Sequence, residues 1–302
     1  MRSNTVLEAR DVWKYYGRHP ALQGVSFSVG EGELVGLVGP NGSGKTTLIR
    51  ILVGILRPSR GQVRVRGRDP LRDPAARESL GYIPERPMLP SSMPIGELLR
   101  VAAMIHGVPR PGDAVGEAVA LAGLEGHEHK RFDELSAGLK QRAAIAHALI
   151  HEPSVIVADE PTSNLDPVER MKILEILSQI NRRRGLTLLF TSHVLAEVSR
   201  LSDRIVVLLR GRRVFTGSPG ELVERSRTVR IRTSLPDRLA AMLVERGYPV
   251  EEEAFSVLVR LKSRSEIPRL LRDLAGISGE VPVFSVDTVE AALEELLRGG
   301  QG

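Results

Sequence analysis

The stretch Gly39-Pro40-Asn41-Gly42-Ser43-Gly44-Lys45-Thr46 constrains this chain more than any other segment. It follows Glu33 to Val38, an apolar run without alternation that reads as a strand buried on both faces. It precedes Lys45 to Leu56, whose apolar spacing predicts a helix. A glycine-rich turn from buried strand to helix belongs in a sheet covered by helices, which makes the chain α/β. The pattern G-x-x-x-x-G-K-[ST] also has a specific physical use. Glycines let successive backbone N–H groups curl around phosphate oxygens, and the helix N-terminus adds partial positive charge. Lys45 would pair with the outer phosphates of a nucleotide, and the Thr46 hydroxyl would face Mg²⁺. The whole loop, with the adjoining Thr47, is the expected nucleotide contact.

A second apolar run, Ser154 to Ala158, delivers Asp159 and Glu160 to a strand end. Open parallel sheets bind ligands at that edge. Asp159 is expected to hold Mg²⁺, directly or through water. Glu160 is placed to accept a proton from an attacking water. Two acids at a strand end are often only a solvated terminus, so the reading depends on the company they keep.

That company includes Leu135-Ser136-Ala137-Gly138-Leu139-Lys140-Gln141-Arg142, between Lys45 and Asp159. Here the chain resembles the ABC ATPase family, whose signature runs Leu-Ser-Gly-Gly-Gln. Leu135, Ser136, Gly138 and the following Gln141-Arg142 match; Ala137 and Leu139 depart. Ser136 would cap the next helix and leave N–H groups free for a phosphate. Other family features follow in order. Tyr16, with Trp13 and Tyr15 as rivals, matches the aromatic that stacks on adenine. Ser163-Asn164-Leu165-Asp166 matches the D-loop, and Thr191-Ser192-His193 matches the switch histidine. Glu85 stands at the Q-loop position, where the family usually has Gln. A glutamate there can ligate Mg²⁺ or orient water but cannot donate an amide hydrogen bond. Glu preceded by Pro resembles the branch that serves drug, lipid or polysaccharide exporters.

The resemblance covers roughly residues 4 to 220. It implies a P-loop NTPase core with a mixed sheet and a helical subdomain at about residues 86 to 150. It implies ATP and Mg²⁺ as cofactors, with Glu160, His193 and Lys45 catalytic and Thr46, Asp159 and Glu85 toward the metal. It further implies a head-to-tail homodimer. Each ATP would lie between Lys45 of one chain and Ser136 and Gly138 of the other, with Asp166 near the interface. His193 would contact the γ-phosphate. Residues of about 86 to 130 would dock an integral-membrane permease.

The first domain is expected over residues 1–224 and an accessory α+β domain over 225–302. The second reads β-α-β-β-α-β, a ferredoxin-like order, followed by an amphipathic helix from 288 to 298. No cysteine is present, which excludes disulfides and thiolate metal sites. Met1 to Trp13 has no apolar core of a signal peptide, and no run approaches 18 uninterrupted apolar residues. The expectation is a soluble chain, peripheral to the cytoplasmic face of the cell membrane. The net charge is +5, read as a solvated surface rather than a nucleic-acid interface.

The leading function is therefore ATP binding and hydrolysis for a transporter, exporting through a separate permease. An alternative is a soluble ABC ATPase in translation or DNA repair. Those usually carry two ATPase units, a coiled coil or zinc cysteines, and this chain shows one unit and none of the rest. A module that only binds ATP conflicts with the presence of Glu160 and His193.

Overall fold

The computed structural model describes residues 4–225, 227–288, 291, 292 and 296. The chain divides into two compact units, Met1–Thr216 and Gly217–Gly302. The division falls at 216, not at the expected 224. The last helix of the expected first domain, Pro219–Arg225, belongs with the second unit.

In the first unit, β1 (Thr5–Tyr16), β2 (His19–Gly30) and β4 (Arg60–Val65) form an antiparallel sheet in the order β2-β1-β4. The sequence predicts only short strands over 5–9 and 25–29. The longer strands were hidden because β1 shifts register between Ala9 and Val12, where Asp11 sits at φ 46°, so the apolar alternation breaks.

A six-stranded sheet lies at the centre of this unit. Its strands are β3 (Leu34–Val38), β5 (Leu80–Ile83), β6 (Val155–Ala158), β7 (Thr187–Ser192), β8 (Arg204–Leu209) and β9 (Arg212–Gly217). Their order is β5-β6-β7-β3-β8-β9, with parallel pairing from β5 through β8. All residues of β3, β6 and β7 are buried, which explains the unbroken apolar runs of β3 and β6 and the apolar Leu188 to Phe190 at the middle of β7.

Helix α1 (Lys45–Leu52) buries Leu48, Ile49, Ile51 and Leu52, each contributing roughly 1.5–3 kcal/mol relative to exposure. It stops four residues before the expected Leu56, because Gly54 takes φ 77° and packs where any Cβ would meet the Pro70 carbonyl at 2.3 Å. Helix α2 (Pro74–Glu78) leads into β5. The expected helical region holds α3 (Ile95–Ile105), α4 (Pro111–Ala122) and α5 (Ala137–Leu149). Helix α6 (Pro167–Arg184) connects β6 to β7, and α7 (Leu195–Leu201) connects β7 to β8.

The second unit opens with α8 (Pro219–Arg225). It continues as β10 (Thr228–Thr233), α9 (Pro236–Glu245), β11 (Val250–Glu253), β12 (Ser256–Arg260), α10 (Ile267–Ile277) and β13 (Val283–Asp287). The sheet order β11-β12-β10-β13 is wholly antiparallel, the ferredoxin-like interleaving that the element order predicts. Its own core joins Val229, Ile231, Leu239, Leu243, Leu270 and Leu274. The expected helix from 288 to 298 lies for the most part outside the described residues. Among the described residues no helix is long and apolar enough to cross a membrane.

Candidate functional site

The loops after four neighbouring parallel strands meet at one edge of the central sheet. In the order β5, β6, β7, β3 they carry Glu85, then Asp159 and Glu160, then His193, then Gly39 to Thr46. Together they border a cleft of about 560 Å³ in the first unit.

The glycine-rich loop is shaped by close approach. A Cβ on Gly39 would meet the Leu208 carbonyl at 2.3 Å, and one on Gly44 would meet the Ala21 carbonyl at 2.6 Å. Gly44 also sits at φ 102° as the N-cap of α1 and supplies no side chain to the cap. The first-turn N–H groups of α1 therefore lack a side-chain partner at the cleft. Lys45, Thr46 and Thr47 line the cleft there, as do Asn41 and Gly42. The Ser43 hydroxyl is buried without a hydrogen-bond partner. Uncapped N–H groups, an orphan hydroxyl and a lysine form a donor set that suits an anion.

Lys45 is only 5% exposed in its side chain. Its Nζ donates to the Gly39 carbonyl at 2.7 Å and the Pro40 carbonyl at 3.3 Å, and lies 3.2 Å from Glu160 Oε1. The other Glu160 oxygen, Oε2, lies 2.8 Å from His193 Nδ1. With a carboxylate as acceptor, the imidazole donates from Nδ1. Glu160 itself sits at φ 44°, a costly conformation for this residue type. Its N–H is held by the Thr191 hydroxyl at 2.7 Å.

Thr191 also donates to Asp159 Oδ1 at 2.9 Å, and the Thr46 hydroxyl donates to the same oxygen at 3.3 Å. Burial pushes the Asp159 carboxyl above its ordinary range; the two hydroxyls pull it back, and the charges of Glu160 and Glu85 raise it further. Thr46, Asp159 and Glu85 offer hard oxygens, few in number, which is the way Mg²⁺ is bound when substrate phosphates complete its shell.

The decisive comparison is along the chain. The family model described as "ABC transporter" matches residues 22–163. The ABC transporter ATP-binding protein YxlF of Bacillus subtilis is 34% identical over 80% of this chain and 81% of its own length. This chain belongs to the ABC transporter ATP-binding proteins. It is an ATPase of the ABC type. The Nod factor export ATP-binding protein I of Rhizobium sp. (strain N33) is 33% identical over 91% of this chain and 92% of its own length. Among solved structures, cbiO1 of Clostridium perfringens, part of an ABC transporter complex, superposes with a TM-score of 0.67 at 29% identity. That match covers 80% of this chain and 99% of the other. A dimeric, post-hydrolysis ATP-binding cassette bound to ADP and Pi superposes with a TM-score of 0.63 at 26% identity, covering 70% of this chain and 98% of that one.

For this ABC ATPase the remaining residues fall in two groups. Glu85, Asn41, Gly42, Gly44, Lys45, Thr46, Thr47, Glu160 and His193 share the cleft. Ser136, Gly138, Asp166 and Tyr16 are not among its lining residues, and neither are Gly39, Pro40, Ser43 and Asp159 of the neighbouring loops. Ser136 caps α5 by accepting from the Leu139 N–H at 3.4 Å. Gly138 packs so tightly that a Cβ would meet Glu169 Oε2 at 2.4 Å. Asp166 caps α6, accepting from the N–H groups of Val168 and Glu169. Tyr16 is 49% exposed, with Lys14 Nζ 5.5 Å above its ring.

Three other residues have roles at the site that the sequence alone does not assign. His19 and Arg170 line the cleft, and the Thr191 hydroxyl accepts from the Glu160 N–H and donates to Asp159 Oδ1. His19 and Arg170 belong to no motif, and Thr191, although it lies in the Thr191-Ser192-His193 motif, shows its tie to Asp159 and Glu160 only in the fold.

Proposed function

We propose that this chain couples ATP-driven, head-to-tail dimerisation to export of a substrate through a separate membrane permease, at the cytoplasmic face of the membrane. The observation that carries the reading is the convergence of Lys45, Glu160 and His193 in one cleft, joined by contacts of 3.2 and 2.8 Å. All the donors that Lys45 has are engaged within the protein. An incoming phosphate would take the carboxylate's place on Lys45, leaving Glu160 held by His193 and available to accept a proton from water. The loop from Gly39 to Thr47 would bind the phosphates by its N–H groups. Thr46, Asp159 and Glu85 would hold Mg²⁺, which supplies charge neutralisation on the phosphates when bound.

In the dimer, Ser136 and Gly138 of the second chain would close over the same nucleotide, consistent with their standing apart from the cleft of a single chain. Asp166 would lie near that interface, and Tyr16 would meet the adenine. Export is supported by likeness to Nod factor export proteins over a length that includes part of the second unit. Residues of about 86 to 130 would meet the permease.

Purification from solubilised membranes tests the transporter half. Recovery with a multi-span membrane protein is the expected result; consistent recovery with ribosomes or DNA would contradict it. For the nucleotide half, Lys45→Ala should weaken ATP affinity roughly 100-fold, the scale of losing charge-assisted contacts. Unchanged affinity by calorimetry would count against the phosphate assignment.

A further inference from the structure

Glu197 is a buried carboxylate that no reacting group touches, yet it joins the segments that carry them. It lies in the first turn of α7. Its Oε2 accepts from Thr162 Oγ1 at 3.1 Å and from Ser192 Oγ at 2.9 Å. Its Oε1 stands 3.3 Å from Arg170 Nε. Neither of those last two atoms has an aligned hydrogen-bond partner, so that contact is Coulombic rather than directional. The three partners come from three places in the chain. Thr162 follows Glu160 by two residues, Ser192 directly precedes His193, and Arg170 of α6 lines the nucleotide cleft.

A carboxylate withdrawn from water is costly, and a buried ion pair is often no better for stability than apolar packing. What this one supplies is geometry. Two hydroxyls and a guanidinium meet on a single side chain, fixing the spacing between the segment after Glu160 and the segment before His193. A displacement of about 1 Å in such a site can lower a rate by 10²-fold.

We propose that Glu197 is a positioning residue for hydrolysis: it clamps Thr162 to Ser192, keeps the contact between His193 and Glu160 in register, and holds Arg170 at the cleft wall. The inference rests on the proposed roles of Glu160 and His193.

Steady-state ATPase kinetics of the full chain test it, with thermal unfolding of every variant. Glu197→Gln should lower kcat at least ~10-fold while KM for ATP stays within about 2-fold, the pattern of a loss felt only in the transition state. In a His193→Ala background the same substitution should lower kcat by less than about 2-fold, because the group it positions is gone. If Glu197→Gln does not fold, Thr162→Val should show the same split, with Thr162→Ser restoring the rate. Wild-type kcat in Glu197→Gln, or an equal loss in both backgrounds, overturns the clamp. Full kcat in both Glu160→Gln and His193→Ala would instead overturn the underlying reading, and the clamp with it.

Discussion

Asp159 shows at the scale of one residue how this site sets stability against function. Burial raises its carboxyl above the ordinary value of 3.8, with Glu160 and Glu85 adding to the effect. A raised folded value means that the unfolded chain releases this proton first. The carboxylate therefore costs stability as pH rises through that window, and the cost is complete only above the folded value. Asp159→Asn keeps an oxygen for Thr191 and Thr46 but removes the charge. It should raise the nucleotide-free melting temperature by a few degrees while abolishing ATP hydrolysis; a lower melting temperature would contradict the electrostatic argument. Residues of this kind were legible in the sequence where they sit in contiguous motifs, as Gly39 to Thr46 and Asp159-Glu160 do. The contacts of Thr191, Arg170 and Glu197 were not, because they span about 30 residues of chain and exist only once β6, α6 and β7 are packed.

At the scale of elements, α1 begins at a glycine that no other residue replaces easily. Gly44→Ala places a methyl against the Ala21 carbonyl, 2.6 Å away, at φ 102°. A loss of about 1–3 kcal/mol, measured by denaturant unfolding, is the expected result. The end of α5 carries a second element-scale feature. His147 and His151 are held below the ordinary imidazole range by burial first, then by neighbouring histidines; a contact to the Leu80 carbonyl partly offsets this for His151. His106 at the end of α3 stacks on His151 with ring centroids 4.4 Å apart. Because the folded imidazoles resist protonation, their contribution to stability is complete above the ordinary value of 6.5 and is lost as pH falls below it. The melting temperature should drop between pH 7.5 and 5.5, and drop less in His147→Gln; an equal drop would assign the effect elsewhere. The helices were readable from the spacing of their apolar residues, and the buried strands from their apolar stretches. The outer strands β1 and β2 were not, because bulges and the polar residues Arg10, Asp11 and Lys14 break the alternation.

On the scale of the whole molecule, the family and the division into two units were within reach of the sequence, while the boundary shifted to 216. A helix of seven residues, Pro219–Arg225, carries no signal of which unit it joins until it packs. In the proposed head-to-tail dimer, a second chain completes the site. Lys45, Glu160 and His193 meet in the cleft, whereas Ser136 and Gly138 do not line it. Binding should thus precede closure of two chains, and hydrolysis should reopen them. Glu160→Gln separates these events, since an amide cannot accept the proton. Light scattering of this variant with ATP, alongside its hydrolysis rate, tests the central claim most directly. A stable ATP-dependent dimer with a rate at least ~100-fold below wild type is the predicted result, and a variant that turns over ATP at the wild-type rate would contradict it.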